Sequence, residues 1–202
     1  MNIPVDSNTS LTLFERTQTV ELFHLVSVNH DHLKNWERWI ANMSTLKATQ
    51  YFIDQNKRLF DELVESENPA GSHPGFQLGI IHEKKIIGLV GFQGLRIRDR
   101  ICALGYWIDE RWEGKGFVSK SCKALTDYAF RELGMNRIEI QCAVENDRSQ
   151  KVAERLGFIR EARLAEVEYN DGEFIDHYLY RLLKKDWEQN PVIKSYSKHV
   201  HN

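Results

Sequence analysis

The chain has 202 residues, of which 42% are hydrophobic and 28% are charged, and its formal net charge at pH 7 is −2. This size and balance predict one globular domain with a full hydrophobic core. The small net charge argues against direct nucleic-acid binding and against an acidic-membrane surface. No stretch approaches the ~18 apolar residues of a membrane span, and the first residues lack the features of a signal peptide. We therefore expect a cytoplasmic protein.

The three cysteines, Cys102, Cys122 and Cys142, lie within apolar patterns. An odd number of cysteines in such patterns predicts small core residues of a reduced protein. Their spacing does not match a metal-ligand motif, so we expect no metal.

The first hundred residues carry alternating strand and helix signals. The expected elements are a strand at 11–16, a helical stripe from Thr19 through Val20, Phe23, Leu25 and Val26, a helix at 46–65 with Phe52, Leu59, Phe60, Leu63 and Val64 inward, a loop at 66–75, and strands at 76–81 and 86–92. Trp36 and Trp39 are three residues apart and share a helical face with Ile40, which predicts either a packed helix or the wall of an acceptor site. The polar residues His30, Asp31 and His32 are then either substrate contacts or surface residues.

The most specific pattern lies between residues 101 and 119. Residues 101–109 predict a strand, and a helix follows. One face of that helix carries Val118, Cys122, Leu125, Ala129 and Leu133. The turn between them reads Arg111-x-x-Gly114-x-Gly116. Because the first N–H groups of a helix have no intrahelical partner, and because glycine admits close approach to the backbone, this turn predicts a phosphorylated ligand on the N–H groups from Glu113 to Val118. The alternative is a turn that uses glycine for geometry alone. The P-loop and dinucleotide patterns do not match.

The rest of the chain predicts a helix end at Gly134, a strand at 137–144, a helix from Asn146 to Gly157, and two long strands at 158–169 and 174–183. The Asn-Asp-Gly sequence at 170–172 predicts the turn between the last two strands. A helix separates the strands at 101–109 and 137–144, so these two should be parallel neighbours.

The turn at Arg111, Gly114 and Gly116 resembles the acetyl-CoA pyrophosphate loop of the GNAT N-acetyltransferases. The resemblance extends, in family order, to residues 105–109, Asn146-x-x-Ser149, 156–158, 170–172 and 176–178. The combination is most similar to the Rim-type ribosomal-protein serine and alanine N-acetyltransferases, and it covers residues 8–187 as one domain, with a loose tail at 188–202. It implies an α/β fold: a mixed, mainly antiparallel sheet of seven strands, helices on both faces, and a splay between the fourth and fifth strands.

The resemblance implies acetyl-CoA as the cosubstrate, with its pantetheine arm in the splay. Backbone N–H groups near the end of the central strand would bind the arm and the thioester oxygen. The implied cofactor-binding residues are Trp107, Ile108, Asp109, Arg111, Glu113, Gly114, Lys115, Gly116, Phe117, Val118, Ser119, Asn146 and Ser149. Lys120 could also meet a phosphate, or be a solvated helix side chain.

The resemblance also implies the catalytic residues. Ser149 would be the general acid and Asn146 would bind the pantetheine; the alternative is a pair that only caps a helix. Many GNAT enzymes have a tyrosine acid where this chain has Ala153, which puts more weight on Ser149. Glu168 matches the base proposed for the serine enzyme; the alternative is an exposed glutamate at a strand end. Asp176 and His177 would form strand hydrogen bonds or line the cleft.

Three functions remain open from the sequence. The first is acetylation of the N-terminal α-amine of a ribosomal or similar protein. The second keeps the enzyme class but takes a small amine, such as a polyamine, an amino sugar or an amino acid. The third is a CoA-binding regulatory module without turnover, against which the residues Asn146, Ser149 and Glu168 argue. A homodimer is an open alternative to a monomer.

Overall fold

The structure is a computed structural model, and it describes residues 1–34, 36, 42–65, 71–170 and 172–189. Its strands form one nine-stranded sheet. They are β1 Asn2–Asp6, β2 Thr9–Thr12, β3 Ser72–His73, β4 Gln77–His82, β5 Lys85–Arg96, β6 Ile101–Ile108, β7 Arg137–Ala143, β8 Ile159–Asn170 and β9 Glu173–Leu183. The helices are α1 Thr19–Leu33, α2 Leu46–Glu65, α3 Phe117–Arg131, α4 Asp147–Arg155 and α5 Lys184–Gln189.

The sheet is mixed and mainly antiparallel, as expected. The strands follow the order β1-β2-β4-β5-β6-β7-β9-β8, with β3 paired to β5. β6 and β7 are parallel, and the other pairs are antiparallel. α3 connects β6 to β7, which confirms the β-α-β crossover predicted from the sequence.

Helices cover both faces of the sheet. Leu89 and Val90 are successive residues of β5, and they belong to different hydrophobic clusters, because successive strand residues point to opposite faces. The smaller cluster packs α1 and part of α2 on one face, and the larger cluster packs α3, α4 and α5 on the other. The two clusters hold the middle strands between the helix layers.

The sheet has nine strands where seven were expected. The first expected strand, at 11–16, corresponds to β2 at Thr9–Thr12, and the added strands are β1 and β3. β1 contains Pro4 and pairs with β2 alone, at an edge of the sheet where proline is tolerated. β3 has two residues. β3 is too short to show an alternation, and Pro4 in the middle of β1 weakens the strand signal that Ile3 and Val5 give. The sheet thus begins at Asn2, ahead of the expected domain start at residue 8.

The buried faces of α1 and α2 differ from the expected stripes. α1 buries Leu22, Leu25 and Val26 but leaves Val20 67% exposed. α2 buries Ile53 and Leu63, whereas Val64, expected inward, is 58% exposed. Trp36 is partly exposed. Trp39 and Ile40, and residues 66–70 of the expected loop, lie outside the described residues.

The described chain ends in α5, which packs on the core. Trp187 is buried, and its ring lies 5.2 Å from that of Phe130. The expected loose tail starts at residue 188, but Glu188 and Gln189 still belong to α5, and residues 190–202 are not among those described. None of the helices described combines the length and apolar composition that crossing a bilayer requires.

Candidate active site

The parallel strands β6 and β7 separate halfway along their length. Their pairing runs from Ile101 with Arg137 to Leu104 with Ile140 and ends there. β6 continues to Ile108 on β5, and β7 continues to Ala143 on β9. The Asp109 N–H donates to the Ile87 carbonyl at 2.9 Å. Because N–H groups alternate in direction along a strand, the Ile108 N–H faces the opening between β6 and β7. This opening between β6 and β7 is the splay that was expected between the fourth and fifth of the seven predicted strands.

The glycine turn opens α3 next to this splay. Gly114 and Gly116 have φ of +71° and +83°, and Gly116 is the N-cap of α3. Residues other than glycine rarely adopt these positive φ values, so the turn requires glycine. The Lys120 N–H donates to the Gly116 carbonyl at 3.0 Å. Within the part of the chain described, the N–H groups of residues 114–119 have no backbone acceptor. Six unpaired N–H groups at a helix start fit a phosphate ligand.

Glu113 joins three elements at the edge of the turn. Its Oε1 lies 2.9 Å from Nε2 of His32, at the end of α1, and its Oε2 accepts from the guanidinium of Arg148 on α4. A carboxylate beside these unpaired N–H groups would repel an anion, and the cation of Arg148 offsets the charge of Glu113. Arg155 of α4 donates to Oγ of Ser119 at 2.9 Å and adds a second cation near the turn.

Asp109 and Arg111 bind each other rather than line the cleft. Asp109 is 2% exposed, and its carboxylate accepts from the Arg111 guanidinium and from the Arg111 N–H. Burial raises the pKa of Asp109, but the hydrogen bonds and charge of Arg111 outweigh burial, so the net pKa is lowered. The pair fixes the short 3-10 turn Glu110–Trp112 that leads into the glycine turn. Lys115 and Lys120 likewise have partners, the Arg111 carbonyl and Asp6.

Ser149 lies across the splay from Tyr106. The Asn146 Oδ1 accepts from the Ser149 N–H at 3.0 Å and caps α4. Oη of Tyr106, on β6, is 2.9 Å from Oγ of Ser149 and donates to the Ser149 carbonyl at 3.2 Å. Cys142 of β7 is the third side chain here; burial raises the pKa of its thiol to about 11, and a hydrogen bond with Ser149 opposes that rise. The Ser149 hydroxyl therefore sits between a phenol and a thiol.

Glu168 follows a bulge in β8. Leu164 pairs with His177, but Glu168 pairs with Ile175, so β8 holds two more residues than β9 between these pairs. Asp176 closes the bulge: it accepts from the Glu166 N–H at 2.9 Å and from Nε of Arg163 at 2.7 Å. Bulges near active sites commonly direct a side chain. Here the bulge sets which residue of β8 lies opposite Ile175.

His177 is in contact with Glu168. Its Nε2 lies 2.9 Å from Oε2 of Glu168, and the two side chains are 14% and 23% exposed. This close approach lacks hydrogen-bond alignment, and the buried Nε2 has no hydrogen-bond partner among the described residues. The pair is thus a carboxylate held beside an imidazole at the mouth of the splay.

These features share one cleft of about 1480 Å³. Of the expected site residues, it is lined by Trp107, Ile108, Glu113, Gly114, Lys115, Gly116, Phe117, Val118, Ser119, Asn146, Ser149 and Glu168. This volume exceeds the usual range for a small-molecule site, so the cleft can hold a long ligand and a second substrate. In the described ranges, no group of three or more His, Cys, Asp or Glu side chains is arranged to hold a metal ion.

The cleft also includes residues that the sequence reasoning did not assign to it. They include Gln93, Tyr106, Cys142, Arg148 and Arg155. The sequence could have indicated Tyr106 and Cys142, because each lies near the carboxyl end of a strand of the predicted parallel pair, where ligands commonly bind. The arginines on α4 carry no comparable signal, because a surface helix normally exposes such residues.

Comparisons with known proteins agree with this architecture. The family of the acetyltransferase (GNAT) domain matches residues 16–159. YdaF of Bacillus subtilis is 30% identical over 185 residues, which are 91% of this chain and 96% of that protein. The ribosomal-protein-serine acetyltransferase of Escherichia coli is 33% identical over 182 residues, which are 88% of this chain and 94% of that protein.

A solved structure shares the fold. The microcin C7 self-immunity acetyltransferase MccE, in complex with acetyl-CoA and AMP, has a TM-score of 0.78 and 25% sequence identity, over 89% of this chain and 94% of that chain. The family match, the relatives and the shared fold together show that this chain belongs to the GNAT family and is an N-acetyltransferase of the Rim type.

Proposed function

We propose that this enzyme transfers an acetyl group from acetyl-CoA directly to the N-terminal α-amine of a protein, either a ribosomal protein or a similar one. The observation that carries the chemistry is the single cleft that joins the glycine turn, Ser149 and Glu168. The protein acceptor is supported by 33% identity, over most of both chains, to an enzyme named for ribosomal-protein serine. The cytoplasmic location expected from the sequence is consistent with such an acceptor.

The glycine turn and the splay would hold acetyl-CoA. The N–H groups of residues 114–119 would bind phosphate oxygens. The Ile108 N–H would bind a carbonyl oxygen in the splay. Asn146 uses its Oδ1 to cap α4, which leaves its Nδ2 to donate to the pantetheine arm. When bound, acetyl-CoA supplies the acetyl group in activated, thioester form.

Two side chains would move the protons. Glu168 would take a proton from the acceptor amine, directly or through a water molecule, because an ammonium cannot act as a nucleophile. His177 lies beside it, with Nε2 2.9 Å from the carboxylate. Ser149 would give its hydroxyl proton to the leaving sulfur on the other wall of the splay. Neither step requires a metal or a covalent enzyme intermediate.

A small amine is the second candidate acceptor. The fold neighbour MccE was solved with acetyl-CoA and AMP, so this architecture also accommodates a small molecule beside the cosubstrate. The two candidates differ in what must fit on the side of Glu168: a peptide needs an open groove, and a small amine needs an enclosed pocket.

The deciding experiment measures thiol release from acetyl-CoA with a panel of acceptors. The panel contains peptides that begin with Ser, Ala or Thr, the same peptides with a blocked N-terminus, polyamines and amino sugars. Turnover with the unblocked peptides alone supports the proposal. Turnover with small amines alone overturns the protein acceptor but retains the reaction.

Variants then test the proposed residues. We expect Ser149→Ala and Glu168→Gln each to lower kcat by about 10²–10⁴-fold, the usual contribution of general acid–base groups. Glu166→Gln is the matched control, because Glu166 is an exposed glutamate of the same strand. Equal losses in Glu166→Gln and Glu168→Gln would assign the effect to strand charge rather than to a base.

A further inference from the structure

Ser149 is held at its hydroxyl and at its backbone N–H. The Tyr106 phenol approaches it from β6, with Oη 2.9 Å from Oγ. The cap from Asn146 fixes the backbone of Ser149 from α4. Tyr106 and Ser149 are both half-buried, and both line the cleft. The helix cap uses the N–H of Ser149 and not its hydroxyl, so the cap does not account for the contact between the two hydroxyls.

The protons of this pair can be arranged in two ways. The phenol can donate to the Ser149 carbonyl, and the serine hydroxyl then donates back to the phenol oxygen. Alternatively, the phenol donates to Oγ, and the serine proton is then available to the Cys142 sulfur or to a ligand in the cleft. In the second arrangement alone, Ser149 can donate to a ligand while it accepts from Tyr106.

Acidity distinguishes the two residues as proton sources. An aliphatic alcohol is a poor acid, so a serine that loses its proton needs a replacement at the same moment. A phenol is a much stronger acid than an alcohol, and its pKa in water, near 10, is close to that of a thiol. Proton transfer is most efficient when the donor and the acceptor have similar acidity.

We propose that Tyr106 supplies the proton that Ser149 delivers to the leaving sulfur. This inference rests on the proposed function. As the C–S bond breaks, its electron pair stays on sulfur, and sulfur takes the hydroxyl proton of Ser149. The Ser149 oxygen takes the phenol proton of Tyr106, and the resulting phenolate regains a proton from solvent after the products leave. Tyr106 acts through Ser149 and is therefore a positioning and proton-supplying residue.

The first test is Tyr106→Phe, which keeps the ring and removes the hydroxyl. We expect kcat to fall about 10- to 100-fold, with the KM for acetyl-CoA unchanged within about threefold. Tyr128→Phe is the matched control, because Tyr128 is a half-buried tyrosine of α3 outside the cleft lining. The double variant of Tyr106→Phe with Ser149→Ala should be no slower than Ser149→Ala alone, since the two residues act in series. Additive losses, or an unchanged kcat in Tyr106→Phe, would overturn the proposal.

Fluorinated tyrosines at position 106 separate proton supply from packing. They keep the hydrogen bond and change the acidity of the ring. If Tyr106 supplies a proton, kcat should follow ring acidity across the series. A purely structural hydroxyl would give the same kcat throughout, which is the contrary result.

A binding measurement needs no acceptor and so distinguishes this inference from the proposed function. Ultraviolet absorbance of the thiolate gives the pKa of the thiol of CoA bound to the enzyme. We expect Tyr106→Phe to raise this thiol pKa relative to wild type, because Ser149 becomes a weaker donor to the thiolate. Equal thiol pKa values in the two proteins would count against Tyr106 even if no amine were turned over.

Discussion

Replacing Asp176 with alanine should displace Glu168, because the Asp176 carboxylate closes the bulge that precedes it. The carboxylate accepts hydrogen bonds from the Glu166 N–H and from Arg163, 2.9 and 2.7 Å long. Without the bulge, the pairing of Leu164 with His177 would continue in register. Position 166, not 168, would then lie opposite Ile175.

The magnitude follows from the backbone of Glu166. Its φ of 53° lies in the left-handed region, which costs about 1–2 kcal/mol for a residue other than glycine. Once Asp176 no longer offsets this strain, relaxation of the bulge gains a similar free energy, equivalent to a roughly 5–30-fold change in population. If the relaxed conformers are inactive, kcat should fall by the same factor.

The assay is steady-state thiol release, together with calorimetric binding of acetyl-CoA. Binding should be unchanged, because residues 114–119 open α3 and are not part of the bulge, which lies in β8. Adding Glu166→Gly to Asp176→Ala should recover part of kcat, since glycine adopts this φ without strain. A kcat within twofold of wild type, or a double variant no faster than Asp176→Ala, would refute the role of the bulge.

The hydrogen bonds of Asp176 to the bulge depend on pH in the acid range. The Glu166 N–H, and after it Arg163, hold the pKa of Asp176 below its ordinary value of 3.8. A lowered carboxyl pKa contributes stability above the ordinary value, and this contribution is lost as the pH falls through the lowered pKa. The bulge should therefore be intact from pH 5 upward, and a loss of activity above that pH has another origin.

Three further predictions concern the turn, the core and the cleft thiol. Gly116→Ala should weaken acetyl-CoA binding about 5–30-fold by calorimetry, because φ of +83° strains alanine. Gly134→Ala is the control, with φ of +64° and open space around it: it should lower the Tm as much as Gly116→Ala does and leave binding intact. Phe130→Ala removes a fully buried ring and should cost about 3–5 kcal/mol of unfolding free energy, whereas Phe174→Ala, 63% exposed, should change it by less than about 0.5 kcal/mol in denaturant titrations. Alkylation of Cys142, followed by mass spectrometry, should be slow at pH 8, rise only as the pH approaches about 11, and be blocked by CoA; rapid labelling at pH 8 would contradict the buried placement of the thiol.

The local patterns of the chain contained much of the fold and half of the site. The elements from residue 76 onward, the parallel crossover and the glycine turn were predictable, because each depends on residues within one or two turns of each other. The contact between Asn146 and Ser149 was predictable for the same reason, since a helix cap brings them together whatever the rest of the chain does. The Rim-type resemblance added Glu168, which has no local signature.

The tertiary structure decided which side chains meet. Tyr106 and Ser149 are 43 residues apart, and His32 and Glu113 are 81 apart. The contact of His177 with Glu168 depends on the bulge in β8, since a different register would place another residue beside the imidazole. Hydrophobic periodicity reports which face of an element is buried, but strand register and helix placement set the distances between elements, and the proposed proton-transfer chemistry depends on those distances.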